Sequence, residues 1–337
     1  MNAHDWFDCL PKLELHLHLE GAVPLPALLE LVLKYDRGSG IRDLAGLEKL
    51  FRFRDFAHFL ELWSWKNRFI REQDDFTFMA EAVARDLHHQ NYRYAEVFYS
   101  PADFSEYGPG TQRITEAIRR GLDRVPELQV ALVADLVRDH GPESGHRTLA
   151  EVIEVQDLGV VGIGLGGSEA EYPPELFKEV FSAARRAGMY TCAHAGEAAG
   201  PGSIRGALEL LQVERIGHAT RAEEDSTLLD HLAERQIPIE VCPVSNVRTG
   251  FVPSLELHPV RRFFERGLMV TINTDDPLMF QNSLAGELRQ LYETLGFTHD
   301  EVRTLLLNAI EASWLSPVEK DALRAEFRND KAWSRPQ

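Results

Sequence analysis

The chain has 337 residues, 44% of them hydrophobic, which suffices for a large core and excludes a disordered chain. Its formal net charge of −17 speaks against nucleic-acid backbones and anionic membranes as partners. Three cysteines (Cys9, Cys192, Cys242) with no Cys-x-x-Cys pair point away from a disulfide framework and towards a reducing cytoplasm. Residues 1–11 lack the basic and apolar regions of a leader, and no apolar run nears the ~20 residues of a membrane span.

From Leu13 to Glu20 leucines alternate with Glu14, His16, His18 and Glu20, the period of a β-strand. His16 and His18 then share one face and can grip a single metal ion together. For this stretch alone, an edge strand with two solvated histidines is the plainer reading. Pro26 to Leu33 reads as a helix with proline in its first turn. Residues 36–90 read as helical, an insertion that could form a lid over the end of strand one. Within it Phe56, Phe59, Leu60, Trp63 and Phe69 have helical spacing over 55–70, and 76–90 is a second amphipathic helix.

The pattern then alternates. Strands are expected at 94–99, 130–135, 160–165, 189–194, 215–218, 238–242 and 268–273. Helices are expected at 111–124, 145–158, 174–187, 203–211, 225–235 and 259–266, with more helix over 283–329. The charged tail, 329–337, is expected to fray. Eight strands joined mostly by helices predict an α/β fold, a (β/α)8 TIM-type barrel with extra helices after strand one and at the C-terminus. Residues 1–337 read as one such domain. A doubly wound open sheet is the alternative, weakened because no Gly-x-Gly-x-x-Gly opens a helix.

Function in such a barrel sits at the C-terminal ends of the strands. Strand one ends in His16 and His18, strand five in His194 with Glu197 beyond, strand six in His218, and strand eight in Asp275 and Asp276. Taken singly, His194 and His218 could be core histidines and the aspartates helix caps. Together they suit one zinc ion, with His16, His18, His194 and Asp275 as ligands. Zinc lowers the pKa of water to about 7. Glu197 can then move protons without ligating, and His218 can orient the resulting hydroxide. A second metal is not expected, because strand four ends in Gly164-Leu165-Gly166 with no bridging lysine.

Leu15 to Ala22, His194-Ala195-Gly196-Glu197, Gly217-His218 and Asn273 to Pro277, in this order, resemble the adenosine deaminase family of the amidohydrolase superfamily. The resemblance runs from about residue 10 to residue 310. It implies one zinc per chain and hydrolysis of a 6-amino group on an adenine ring, with adenosine first among substrates. It also implies that Glu197 protonates ring N1, His218 holds the hydroxide, Asp276 bonds N7 and the Gly167 amide bonds N3. Glu20 stands where adenosine deaminases usually place an aspartate that reaches the ribose; glutamate there is common in adenine and aminodeoxyfutalosine deaminases. The Trp63-Ser64-Trp65-Lys66-Asn67 segment also departs from the family's apolar helix. Adenine or a 5′-modified adenosine is therefore the alternative substrate. Ester or amide hydrolysis, and a non-catalytic nucleoside-binding barrel, are the more distant alternatives.

Overall fold

A computed structural model describes residues 3–36, 38, 40–54 and 56–333. Eight parallel strands run in sequence order around the sheet: β1 (Lys12–His18), β2 (Tyr92–Tyr99), β3 (Gln129–Asp135), β4 (Val160–Gly164), β5 (Tyr190–Ala195), β6 (Arg215–His218), β7 (Ile239–Val241) and β8 (Val270–Ile272). The seam between β8 and β1 is joined by the Leu17–Asp275 bridge, with His18 N donating to Asp275 O and Asp275 N to His16 O. The sheet is thus a nearly closed (β/α)8 barrel.

Strand periodicity does what the leucine pattern of β1 requires. Leu13, Leu15 and Leu17 are fully buried on the outer face of the barrel, against the ring of helices. The other face of β1 enters the barrel and carries Glu14, His16 and His18. The lower interior is ionic. Arg215 on β6 bonds Glu96 on β2 and Glu240 on β7, each at 2.6 Å, and its guanidinium stacks 3.6 Å from the Trp314 ring. Phe98, Val133 and Cys192 fill the adjacent interior space. Gly217 makes room above them, since a Cβ there would sit 2.8 Å from the His16 ring.

The helices start where side chains can satisfy their first amides. Asp225 caps Ser226–Arg235, and Thr298/Glu301 and Ser316/Glu319 form capping boxes for His299–Ala312 and Pro317–Asn329. Between β1 and β2 lie Leu25–Tyr35, Leu44–Leu50, Phe56–Asn67 and Gln73–His89. Gln73–His89 packs in the outer ring beside Thr111–Leu122, whereas Phe56–Asn67 lies over the rim. Asp55, the expected start of the rim helix, is outside the described residues.

Two elements differ from expectation. A short helix, Ala3–Cys9, precedes β1, and its Trp6 and Phe7 are buried. The chain after Asn329 does not fray through residue 333: Trp6 Nε1 donates to Ala332 O at 2.9 Å, and Trp333 is buried against Phe327. Apolar side chains in an otherwise charged tail outweigh its charge; residues 334–337 lie outside the described residues. Among the described residues, no helix is long and apolar enough to cross a membrane.

Candidate active site

The two histidines of β1 meet His194 from β5 and Asp275 from the turn after β8. His18 Nε2 lies 3.2 Å from His194 Nε2, and Asp275 Oδ1 lies 3.4 Å from His18 Nε2 and 3.6 Å from His16 Nε2. One ligand atom from each of the four residues falls within 4.8 Å of all the others. Surrounding groups orient them. Glu240 Oε2 sits 2.8 Å from His16 Nδ1, which fixes the proton there and turns the Nε2 lone pair into the cluster. His16 Nε2 is buried with no hydrogen-bond partner. Ser245 Oγ donates to Asp275 Oδ2 at 2.6 Å, leaving Oδ1 facing the imidazoles.

The electrostatics call for a cation at this point. Burial lowers the pKa of His18 to about 4, and burial with neighbouring histidines takes His194 well below its usual value, so both rings offer lone pairs at neutral pH. Burial also opposes charge on His16, but the carboxylates of Asp275 and Glu240 outweigh it and push its pKa up to about 10, so the proton on Nε2 is one that a bound cation would displace. Burial would raise Asp275, yet the surrounding histidines hold it ionised, below the usual carboxylate range. Three imidazoles and one carboxylate, with an orphaned buried nitrogen among them, fit a divalent ion such as zinc.

Beside this cluster stand Glu197 and His218, with Glu197 Oε2 3.5 Å from His218 Nε2. Asn246 Oδ1 faces both Thr220 Oγ1 and His258 Nε2, so its amide Nδ2 faces His218 Nδ1 at 3.1 Å. His218 therefore accepts at Nδ1 and carries its proton on Nε2, and burial lowers its pKa to about 3. Burial, reinforced by Asp275 and Glu169, raises the Glu197 carboxyl well above its usual range. His218 and Asp275 have φ of 61° and 65°, left-handed values that cost energy for side-chain-bearing residues and aim these groups inward.

A cavity of about 260 Å³ opens from the cluster. It is lined by His18, His194, Glu197, His218, Asp275 and Asp276, and by an aromatic wall of Phe56, Phe59, Trp63 and Phe280. Gly166 and Gly167 complete it, and Gly167 has φ of 93°, where a Cβ would overlap Asp139. Asp276 Oδ1 is buried without a partner, and burial with Asp275 alongside pushes its carboxyl well above the usual range. Gly21 is needed here, because any Cβ on it would run into that carboxyl.

Glu20 stands apart. β1 ends at His18, so the alternation does not carry Glu20 onto the histidine face. Its side chain is buried and does not line the cavity; Oε1 accepts from Ser100 N at 3.0 Å. Burial raises its pKa to about 7, against the opposing charge of Lys66. Lys66, buried on the rim helix, packs 3.5 Å over the Trp63 ring and donates to Asn67 Oδ1. Trp63 Nε1 and Asn67 Nδ2 in turn donate to Asp103 Oδ2 at 2.9 and 3.3 Å, and His140 Nε2 lies 3.0 Å from Asp103 Oδ1. Sequence reasoning missed Glu240, Asp103, Arg138 and Glu169. Only Glu240 had a signal: a charge inside the apolar strand Ile239-Glu240-Val241.

Comparison with known proteins agrees with this geometry. The family model for adenosine deaminase matches residues 11–329. An adenine deaminase of Bordetella parapertussis is 35% identical over 313 residues, 92% of this chain and 98% of that protein. An aminodeoxyfutalosine deaminase of Streptomyces avermitilis is 36% identical over 341 residues, 99% of this chain and 95% of the other. Among solved structures, an adenine deaminase from Arthrobacter aurescens superposes with a TM-score of 0.89 at 30% identity, covering 94% of this chain and 98% of its own. An amidohydrolase from Burkholderia ambifaria with bound zinc superposes with a TM-score of 0.88 at 28% identity, covering 97% and 92%.

Proposed function

Because the chain belongs to the adenosine deaminase family of aminohydrolases, we propose that it removes the 6-amino group of a 6-aminopurine by hydrolysis, releasing ammonia. The observation that carries this reading is one juxtaposition. Four convergent ligand atoms stand at the wall of a cavity, beside a carboxyl that keeps its proton. His16, His18, His194 and Asp275 would hold one zinc ion per chain. When bound, that ion supplies a Lewis acid and makes water nucleophilic near neutral pH.

The remaining work falls to the chain's own groups. Glu197 gives its proton to ring N1, which makes C6 electrophilic. His218, neutral and donating from Nε2, orients the attacking water. Asp276, unpartnered and raised in pKa, donates to ring N7, which accepts when the ring carries its proton or sugar on N9. Gly167 lines the cavity with no side chain of its own, so its amide can meet N3. Asp275 serves both the metal and, by its charge, the protonated state of Glu197.

Adenine is our choice of substrate. The family resemblance favours adenosine, but the residue meant to reach a ribose, Glu20, is turned to Ser100 and off the cavity wall. The adenine deaminases among the relatives support the same choice. A second reading has its own observation: the aromatic wall of Phe56, Phe59, Trp63 and Phe280 could stack on the 5′ group of a 5′-modified adenosine, and an aminodeoxyfutalosine deaminase is among the relatives. Ammonia release from adenine, adenosine and 5′-modified adenosines at equal concentration separates them. Adenine should give the highest kcat/KM. A 5′-modified adenosine ahead of it selects the second reading, and adenosine ahead of both overturns the choice. Three free cysteines suit a reducing compartment, and we place the enzyme in the cytoplasm.

A further inference from the structure

β5 delivers His194 and, three residues later, Glu197. The turn from Gly196 on lies beyond the strand ladder, and no helix begins until Pro201. Two buried side chains from neighbouring loops hold its backbone. Glu169, from the loop after β4, accepts four main-chain N–H groups: Gly196 at 2.6 Å on Oε1, then Glu197, Ala198 and Ala199 at 3.1, 2.8 and 2.9 Å on Oε2. Arg138, from the loop after β3, donates from Nη2 to His194 O at 2.6 Å and from Nη1 to Tyr172 O at 2.7 Å.

From His194 to Ala199 the chain is therefore gripped by a cation on one carbonyl and by an anion on four amides. Successive N–H groups converging on one point make an anion-binding nest, and here the anion is part of the chain. The turn also needs Gly196, whose φ is 75° and whose Cβ would overlap Ile204. Both clamping groups are buried, Glu169 at 3% exposure and Arg138 at 0%. Neither touches the substrate or the metal ligand atoms in the chemistry described above, although the charge of Glu169 also helps keep Glu197 protonated.

We propose that Glu169 is a positioning residue for the deamination. It locks the turn from Gly196 to Ala199 so that the Glu197 carboxyl stands beside His218, while Arg138 steadies His194 through its carbonyl. The proposal rests on the reading of Glu197 as the proton donor. A carboxylate matches four converging donors; an amide would aim its own N–H groups at some of them. A misplacement of about 1 Å at a catalytic group costs on the order of 10²-fold in rate.

The test is a double-mutant cycle on the zinc-loaded enzyme, with zinc content measured for every variant. Glu169→Gln should lower kcat about 10²-fold while KM stays within about threefold and zinc remains at one per chain. In a Glu197→Gln background the same change should cost nothing further, because the group being positioned is already gone. Wild-type kcat in Glu169→Gln overturns the proposal, as does full multiplication of the two losses in the double variant, which would mark a general structural role. Loss of zinc in a folded Glu169→Gln also overturns it. Glu169→Asp, which keeps the charge but shortens the reach, repeats the measurement if Glu169→Gln does not fold. It should lose about tenfold in kcat, and wild-type kcat there is equally fatal. An active Glu197→Gln instead refutes the role of Glu197, a separate outcome read from a separate variant.

Discussion

Burial, with the charges of Asp275 and Glu169 nearby, keeps the Glu197 carboxyl protonated at pH values where an exposed glutamate is ionised. The direction of its pH dependence follows. A raised carboxyl pKa means the proton is present below that value and lost as pH rises through it, so donation to the ring fails on the alkaline side. Activity should therefore fall on an alkaline limb. Glu197→Gln should lower kcat by on the order of 10²–10⁴-fold and remove that limb, with zinc retained. A pH–rate profile of both proteins, with metal analysis, checks this; an unchanged limb in the variant would assign it to another group. His218 plays the complementary part. Its neutral state is secured by burial, and its tautomer by Asn246.

The element that most shapes access is the helix Phe56–Asn67. It is tied to the barrel through one carboxylate: Asp103 takes Trp63 and Asn67 from the helix on one oxygen and His140 on the other. Asp103→Ala should free the helix without touching the metal cluster. The expected result is a KM raised about tenfold with kcat nearly unchanged, the signature of lost ground-state binding. Steady-state kinetics on the preferred base decides it, and an unchanged KM would show that the helix is held by its aromatic packing alone. The elements also show what a sequence can disclose. The period of two put His16 and His18 on one face, and the βα alternation brought His194, His218 and Asp275 to the same rim, because regular structure has a repeat that residues obey. Glu20 escaped that logic because β1 stops two residues earlier. Arg138 and Glu169 escaped it because they sit in loops, where spacing says nothing about which backbone a side chain will reach. The buried Trp333 escaped because its partner, the Ala3–Cys9 helix, lies at the far end of the chain.

For the whole molecule, the placement of the four ligand residues matters as much as their chemistry. β8 has three residues, and its seam with β1 carries one bridge. His16 and His18 stand on one side of that seam and Asp275 on the other, with His194 reaching in from β5. An ion held by all four would staple the seam and brace it across the barrel. Removing it with a chelator should lower the melting temperature while leaving the far-UV circular dichroism at room temperature unchanged, and zinc should restore it. A melting temperature indifferent to chelator would mean that strand pairing and the helix ring suffice.

Arg215, Glu96 and Glu240 also fill space that many barrels give to branched apolar residues. That choice sets how the enzyme meets temperature. Water solvates charged groups less favourably as it warms, so the cost of keeping this triad dry is greatest in the cold. Apolar burial weakens on cooling as well. Both trends run the same way, so the grip of the barrel's interior and of the apolar layer around it slackens together as the temperature falls.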